Sequence, residues 1–221
     1  MSMTDPTHEQ PRYQPVREVR AASDWKIGTA SAVLIGISAL VTLGSNFGEN
    51  EAVLKYFLVD DLETASGFPF ADILHGQIWR LITPIFIHFG IVHLLFNMMW
   101  LKDLGTLIEK RYSSRLLVTM VLVLGILSNV GQYFSSGPLF GGMSGVVYGL
   151  FGYIWIKGRF DPTAGFRVPT QTVVIMIGWL VLCFTGALGN NIGNAAHLIG
   201  LLVGAAWGFV SAKARATSLQ V

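Results

Sequence analysis

Six apolar runs, separated by charged or turn-forming residues, constrain this chain more than any other feature. A helix rises 1.5 Å per residue, so about 20 apolar residues are needed to cross a hydrocarbon core of roughly 30 Å. The candidate spans are Trp25 to Phe47, Gly90 to Ile108, Leu116 to Phe134, a shorter run from Ser144 to Ile156, Gln171 to Leu188, and Ile192 to Ser211. Of the 221 residues, 52% are hydrophobic and 13% charged, and the mean hydropathy is +0.55; a soluble domain of this length is rarely so apolar. The expected fold is therefore an all-α membrane protein, a six-transmembrane-helix bundle. No long-period repeat is evident, and no hydrophilic insert is large enough for a second domain. The expected divisions are a disordered cytoplasmic tail over 1–22, a membrane domain over 23–212 and a cytoplasmic C-terminal tail over 213–221. The first stretch is polar, carries Pro6, Pro11 and Pro15, and has no apolar core, so it reads as neither a signal peptide nor a folded unit.

Charge distribution sets the expected orientation. Arg12, Arg17, Arg20 and Lys26 precede the first run; Lys102, Lys110, Arg111 and Arg115 flank the turn after the second. Lys157, Arg159 and Arg167 fill the turn after the fourth, and Lys213 and Arg215 follow the sixth. Only Lys55 and Arg80 of the 15 basic residues fall on the other face, so both termini are expected on the cytoplasmic side. The formal net charge of +2, with cations at the ends of runs and no basic stripe, argues against a nucleic-acid partner. Cys183 is the single cysteine; it has no disulfide partner and reads as a small apolar packing residue. The connection from Gly48 to Ile87 is long, acidic and aromatic, with Tyr56, Phe57, Phe68, Phe70 and Trp79, a composition suited to the membrane interface.

The fourth run breaks the pattern. As a helix, Ser144 to Ile156 spans about 20 Å, some ten short of a crossing. It follows the turn-rich Ser135-Ser-Gly-Pro-Leu-Phe-Gly-Gly-Met143. With its lower end at Lys157, its upper end stops inside the membrane, where irregular backbone is tolerated only if protein buries it or it lines a hydrated cavity. Ser144 is then expected in the first turn of a short helix, facing a pocket open to the outside.

Polar groups inside spans are costly and mark functional candidates. They are His88, His93 and Asn97 around the second run, Ser144 and Tyr148 in the fourth, and Asn190, Asn191, Asn194 and His197 near the sixth. Ser144 lies in Gly141-Gly-Met-Ser-Gly145: glycines admit a substrate backbone, and a helix N-terminus offers free N–H groups to an oxyanion. A serine hydroxyl needs a base, and His197 is the candidate. Without one, Ser144 would be an ordinary N-cap, and His197 an interhelical hydrogen-bonding group. Ala196, Gly200, Gly204 and Gly208 recur every four residues, as do Gly145 and Gly149, so the two helices are expected in close contact, bringing Ser144 to His197. His93 and Asn97 share a helical face from which both can donate to an oxyanion. Tyr148 follows Ser144 by one turn and is placed to stack on the His197 ring, or to pack as a core aromatic. A zinc site from His88, His93 and His197 is disfavoured, because a five-residue separation splays two helical imidazoles and no intramembrane carboxylate stands by as base. Asp103 and Glu109 fall at the far end of the second run, too distant to complete a triad.

These strings together resemble the bacterial rhomboid intramembrane serine proteases. The resemblance rests on Trp79-Arg80, on His88 with His93 and Asn97, on Glu109-Lys110-Arg111, on Gly142-Met-Ser144-Gly145 with Tyr148, and on Ala196-His197 with Gly200 and Gly204. These span about Gly76 to Gly208 in the family's order. It implies a rhomboid-like bundle whose short central fourth helix carries the nucleophile Ser144, with His197 as base. It also implies an oxyanion hole from His93, Asn97 and the N–H groups of Ser144 and Met143, a tyrosine, Tyr148, stacked on the imidazole, and Trp79-Arg80 anchoring the first loop. The implied substrates are single-pass transmembrane proteins that reach the site laterally from the lipid and are cut near the outer face beside a small residue. The implied location is the bacterial inner membrane, and no metal or organic cofactor is implied. Two rival readings are an inactive rhomboid-like chaperone or binding protein and a small transporter using the short run as a broken helix. The first would be expected to lack Ser144 or His197, and the second to show two related halves.

Overall fold

A computed structural model describes residues 26–61, 68–187 and 192–218. The tail over 1–22, Glu63, Leu188, Asn190 and Asn191 lie outside the described residues. Every regular element among those described is helical. The first helix, α1 (Thr29–Gly44), closes before the expected Phe47 because Asn46, Phe47 and Gly48 adopt left-handed backbone with φ of 49°, 54° and 90°. Its N-cap Gly28 offers no side chain. Glu109 substitutes from across the bundle, accepting the N–H groups of Ala30 and Ser31 at 2.9 and 2.8 Å. The same carboxylate accepts the hydroxyls of Ser31 and Ser114, each at 2.7 Å, so one residue joins three helices.

The long connection is folded onto the bundle. It contains the short helices α2 (Glu51–Leu54) and α3 (Ala71–Leu74), then 3₁₀ turns at Ile78–Leu81 and Thr83–Phe86. Buried Arg80 ties it together, donating to the Lys55 and Leu58 carbonyls at 2.5 and 2.8 Å and to Gln77 Oε1 at 2.8 Å, with Asp72 3.7 Å away. Asp60 docks it on the third long helix by accepting the Tyr133 hydroxyl at 2.6 Å. These bonds come from Arg80, while Trp79 is 48% exposed.

The second run is α4 (Ile91–Trp100), one π turn (Leu101–Gly105) and α5 (Thr106–Arg111) in unbroken succession. Next come α6 (Ser114–Ser136), α7 (Ser144–Phe160), α8 (Thr170–Phe184) and α9 (Asn194–Ser218). Ile91–Arg111, Ser114–Ser136 and Asn194–Thr217 are long and apolar enough to cross a membrane, and α1 and α8 are shorter apolar helices. α9 runs past the expected Ser211, so residues 213–218 are helical; Lys213 through Ala216 are helix-compatible residues with no breaker. α7 begins at Ser144 as expected and continues beyond Ile156, because Lys157 is buried instead of facing water. It pairs with Asp161 at 2.9 Å and donates to the Ser211 carbonyl at 2.8 Å, which carries the helix one further turn.

With 17 residues α7 is about 26 Å long, still less than a membrane core. All of its residues from Gly145 to Ile154 are buried. It packs on α9 with almost no side chain between the backbones: a Cβ on Gly200 would run into the Gly145 carbonyl, and one on Gly204 into the Gly149 carbonyl. One on Gly208 would lie 2.7 Å from the Tyr153 carbonyl oxygen. Small residues at this spacing let helices approach where no solvent drives apolar association.

Candidate active site

The glycine contact determines which polar groups meet. Ser144 opens α7 and His197 lies in the first turn of α9, and Ser144 Oγ is 2.8 Å from His197 Nε2, the geometry in which the hydroxyl donates to the imidazole. His197 is 5% exposed. The Tyr148 ring lies beside it, with centroids 5.0 Å apart and planes inclined by 37°, and the Tyr148 hydroxyl donates to the Met176 carbonyl of α8 at 3.0 Å. Gln132 of α6 accepts the Ala196 N–H at 3.0 Å and holds the start of α9 against the bundle.

α4 supplies the opposite wall. A Cβ on Gly142 would lie 2.8 Å from His93 Nε2, and Gly142 has φ of +125°, so both its backbone conformation and its surroundings require glycine. Buried Asn97 donates one amide hydrogen to the His93 carbonyl at 3.0 Å and keeps the other. His93, Asn97, Ser144, Tyr148 and His197 all line one cavity of about 550 Å³. Its remaining wall is apolar, with Val92, Trp100, Val147, Ile175, Met176 and Cys183. Phe96 of α4 and Trp179 of α8 stack at 5.6 Å and 13° where the cavity meets the bundle surface.

His88 and Met143 bond to each other behind Ser144. Met143, expected to offer its N–H to an oxyanion, donates it to His88 Nε2 at 3.4 Å. His88 does not line the cavity but lies behind the turn, with its ring 5.0 Å from that of His93. Among the described residues, no three His, Cys, Asp or Glu side chains are grouped to hold a metal ion.

Four contributors escaped sequence reasoning. Gln132, with Ser128 and Asn129, is a buried polar residue in an apolar span, and the rule that singled out His197 applies equally to it. Phe96, Trp179 and Met176 carried no signal, since aromatic and apolar residues in spans are the rule.

Fold and cavity together define a class: helical membrane proteins that hold a serine hydroxyl and an imidazole in hydrogen-bond contact inside the bundle. The family model described as the Rhomboid domain matches residues 75–214, and the chain belongs to the rhomboid family. It is 40% identical over 143 residues to Rhomboid protease GlpG of Salmonella paratyphi A, covering 65% of this chain and 52% of the relative. The proteins of the same name from Salmonella choleraesuis and Salmonella newport are 41% and 40% identical over the same shares. The chain thus spans about half the length of the curated relatives it matches.

Proposed function

We propose that this protein is an intramembrane serine endopeptidase that cuts transmembrane segments of other membrane proteins with a Ser144–His197 dyad. The observation that carries this reading is the 2.8 Å contact between Ser144 Oγ and His197 Nε2 inside a cavity, in a chain of the rhomboid family whose named relatives are proteases. In this reading the short central α7 carries that pair below the end of the bundle, within reach of a substrate helix arriving from lipid and of water arriving from outside.

In this mechanism Ser144 Oγ attacks the scissile carbonyl carbon while its proton passes to His197 Nε2. The carbonyl oxygen becomes an oxyanion that accepts from the Ser144 N–H, from the free amide hydrogen of Asn97 and from His93. As the intermediate collapses, His197 returns the proton to the leaving amine and the acyl group stays on Ser144. Water, deprotonated by the same imidazole, then attacks the acyl carbon, and His197 returns that proton to Ser144 Oγ as the Oγ–C bond breaks and the new carboxyl terminus leaves. No cofactor takes part. Tyr148 limits ring rotation so that Nε2 faces the hydroxyl, and Gly142 leaves room for the His93 ring. The access route for a helical substrate is the Phe96–Trp179 stack between α4 and α8.

The same reading gives a six-span bundle in the bacterial inner membrane, with both termini cytoplasmic and the cavity opening to the outer side. The distribution of Lys and Arg supports that orientation. The test is cleavage of a reporter single-pass substrate by purified protein in detergent or liposomes. Cleavage by the parent, with at least a 10³-fold loss for Ser144→Ala and for His197→Ala, is the expected result; a folded Ser144→Ala protein that cuts at the parent rate contradicts it.

A further inference from the structure

We infer that His88 is a positioning residue for the reaction, holding the Gly141–Met143 turn so that Ser144 enters α7 in the reactive orientation. This rests on the hydrolytic reading above. His88 is completely buried, in the segment that joins the first connection to α4. Its Nδ1 lies 3.2 Å from the Phe86 carbonyl oxygen. A carbonyl only accepts, so Nδ1 carries the proton and the neutral ring presents its lone pair at Nε2. That lone pair accepts the Met143 N–H. Thr42 Oγ1 of α1 stands 3.4 Å from Nδ1 and backs the ring from the other side.

Two further contacts clamp the same turn to the same segment. The Gly142 N–H donates to the Pro84 carbonyl at 3.0 Å, and Gly141 lies so close that a Cβ there would stand 2.6 Å from Ile87 Cβ. The turn contains two adjacent glycines, the residues with the widest backbone freedom, directly before the nucleophile. His88 removes that freedom at Met143, the residue joined to Ser144. It also turns the Met143 N–H away from the cavity, leaving the Ser144 N–H as the backbone donor to the oxyanion. A nucleophile displaced by about 1 Å loses on the order of 10²-fold in rate, so a weak bond at Met143 has a large kinetic effect.

The experiment compares kcat and KM for a reporter transmembrane substrate in the parent, His88→Gln, His88→Asn and Thr42→Val, with thermal unfolding of each. A glutamine reaches the Nε2 position and can accept the Met143 N–H; an asparagine ends at the Nδ1 position and cannot. Expected is a kcat at least 30-fold below the parent for His88→Asn, recovered to within about fivefold by His88→Gln. KM should stay within about twofold throughout, and Thr42→Val should lower kcat by about twofold to fivefold. A His88→Asn protein as fast as His88→Gln, or one that changes KM and leaves kcat alone, overturns the inference. If His88→Asn does not fold, Thr42→Val decides, and an unchanged kcat there overturns it. A parent that cuts nothing overturns the hydrolytic reading instead, which separates the two failures.

Discussion

At the scale of single residues, the energetics follow from how expensive polar groups are inside an apolar bundle. Glu109 shows this away from the cavity, since it accepts from two backbone N–H groups of α1 and from two serines. Glu109→Leu removes all four acceptor contacts and leaves the start of α1 uncapped. The expected cost is about 2 kcal/mol or more, read as a lowered unfolding midpoint in detergent, with the Ser144–His197 contact left in place. Ser144 and His197 were legible in the sequence for the same reason, because an unexplained hydroxyl or imidazole in an apolar run has few other uses. The bond between His88 and Met143 was not legible. It depends on which ring nitrogen carries the proton and on a turn 55 residues away, and neither leaves a trace in spacing. Gln132 was legible in principle, being as costly to bury as His197, whereas Phe96 and Trp179 resemble any lipid-facing aromatic.

At the scale of elements, the contact between α7 and α9 determines the site. Its glycine spacing was readable directly, because only small residues at four-residue intervals let two backbones touch. A side chain on Gly204 has no space to enter: the Gly149 carbonyl blocks it, and relief requires the helices to move apart. Gly204→Val is therefore expected to lower reporter cleavage by at least 10²-fold while α-helical circular dichroism is retained; near-parental cleavage would show that the helices need not touch for the chemistry. The short fourth run was also legible, because length against bilayer thickness is simple arithmetic. It ends beyond Ile156 because Lys157, which the charge pattern predicts to face water, finds an ion pair and a carbonyl inside the bundle. The internal order of the first connection could not be read either. Arg80 and Asp60 bridge residues 22 to 73 positions apart, and no local pattern reports such pairings.

For the molecule as a whole, the end of the bundle opposite the cavity is held by a charged cluster. Lys157 and Asp161 pair at 2.9 Å, Arg215 stands 4.0 Å from Asp161, and the Arg111 side chain donates to the carbonyls of Ala164 and Thr163. Burial alone would raise the Asp161 carboxyl. Hydrogen bonds from Thr163 and Lys157, with the charges of Lys157 and Arg215, hold it below its ordinary value of 3.8. A depressed carboxyl stabilises the fold above the unfolded value, and that contribution fades as pH falls through the folded one. Asp161→Asn is thus expected to lower the unfolding midpoint at pH 7, with a deficit that narrows below about pH 4. A deficit that stays constant down to pH 3 would assign the loss to packing. The central claim is that the bundle holds Ser144 and His197 together as a working pair. Mass spectrometry after exposure to a fluorophosphonate tests this most directly, with no substrate needed. The account predicts a single adduct on Ser144 in the parent and at least a 10²-fold slower reaction in His197→Ala. An adduct formed equally fast without His197, or none on Ser144 in the folded parent, would contradict it.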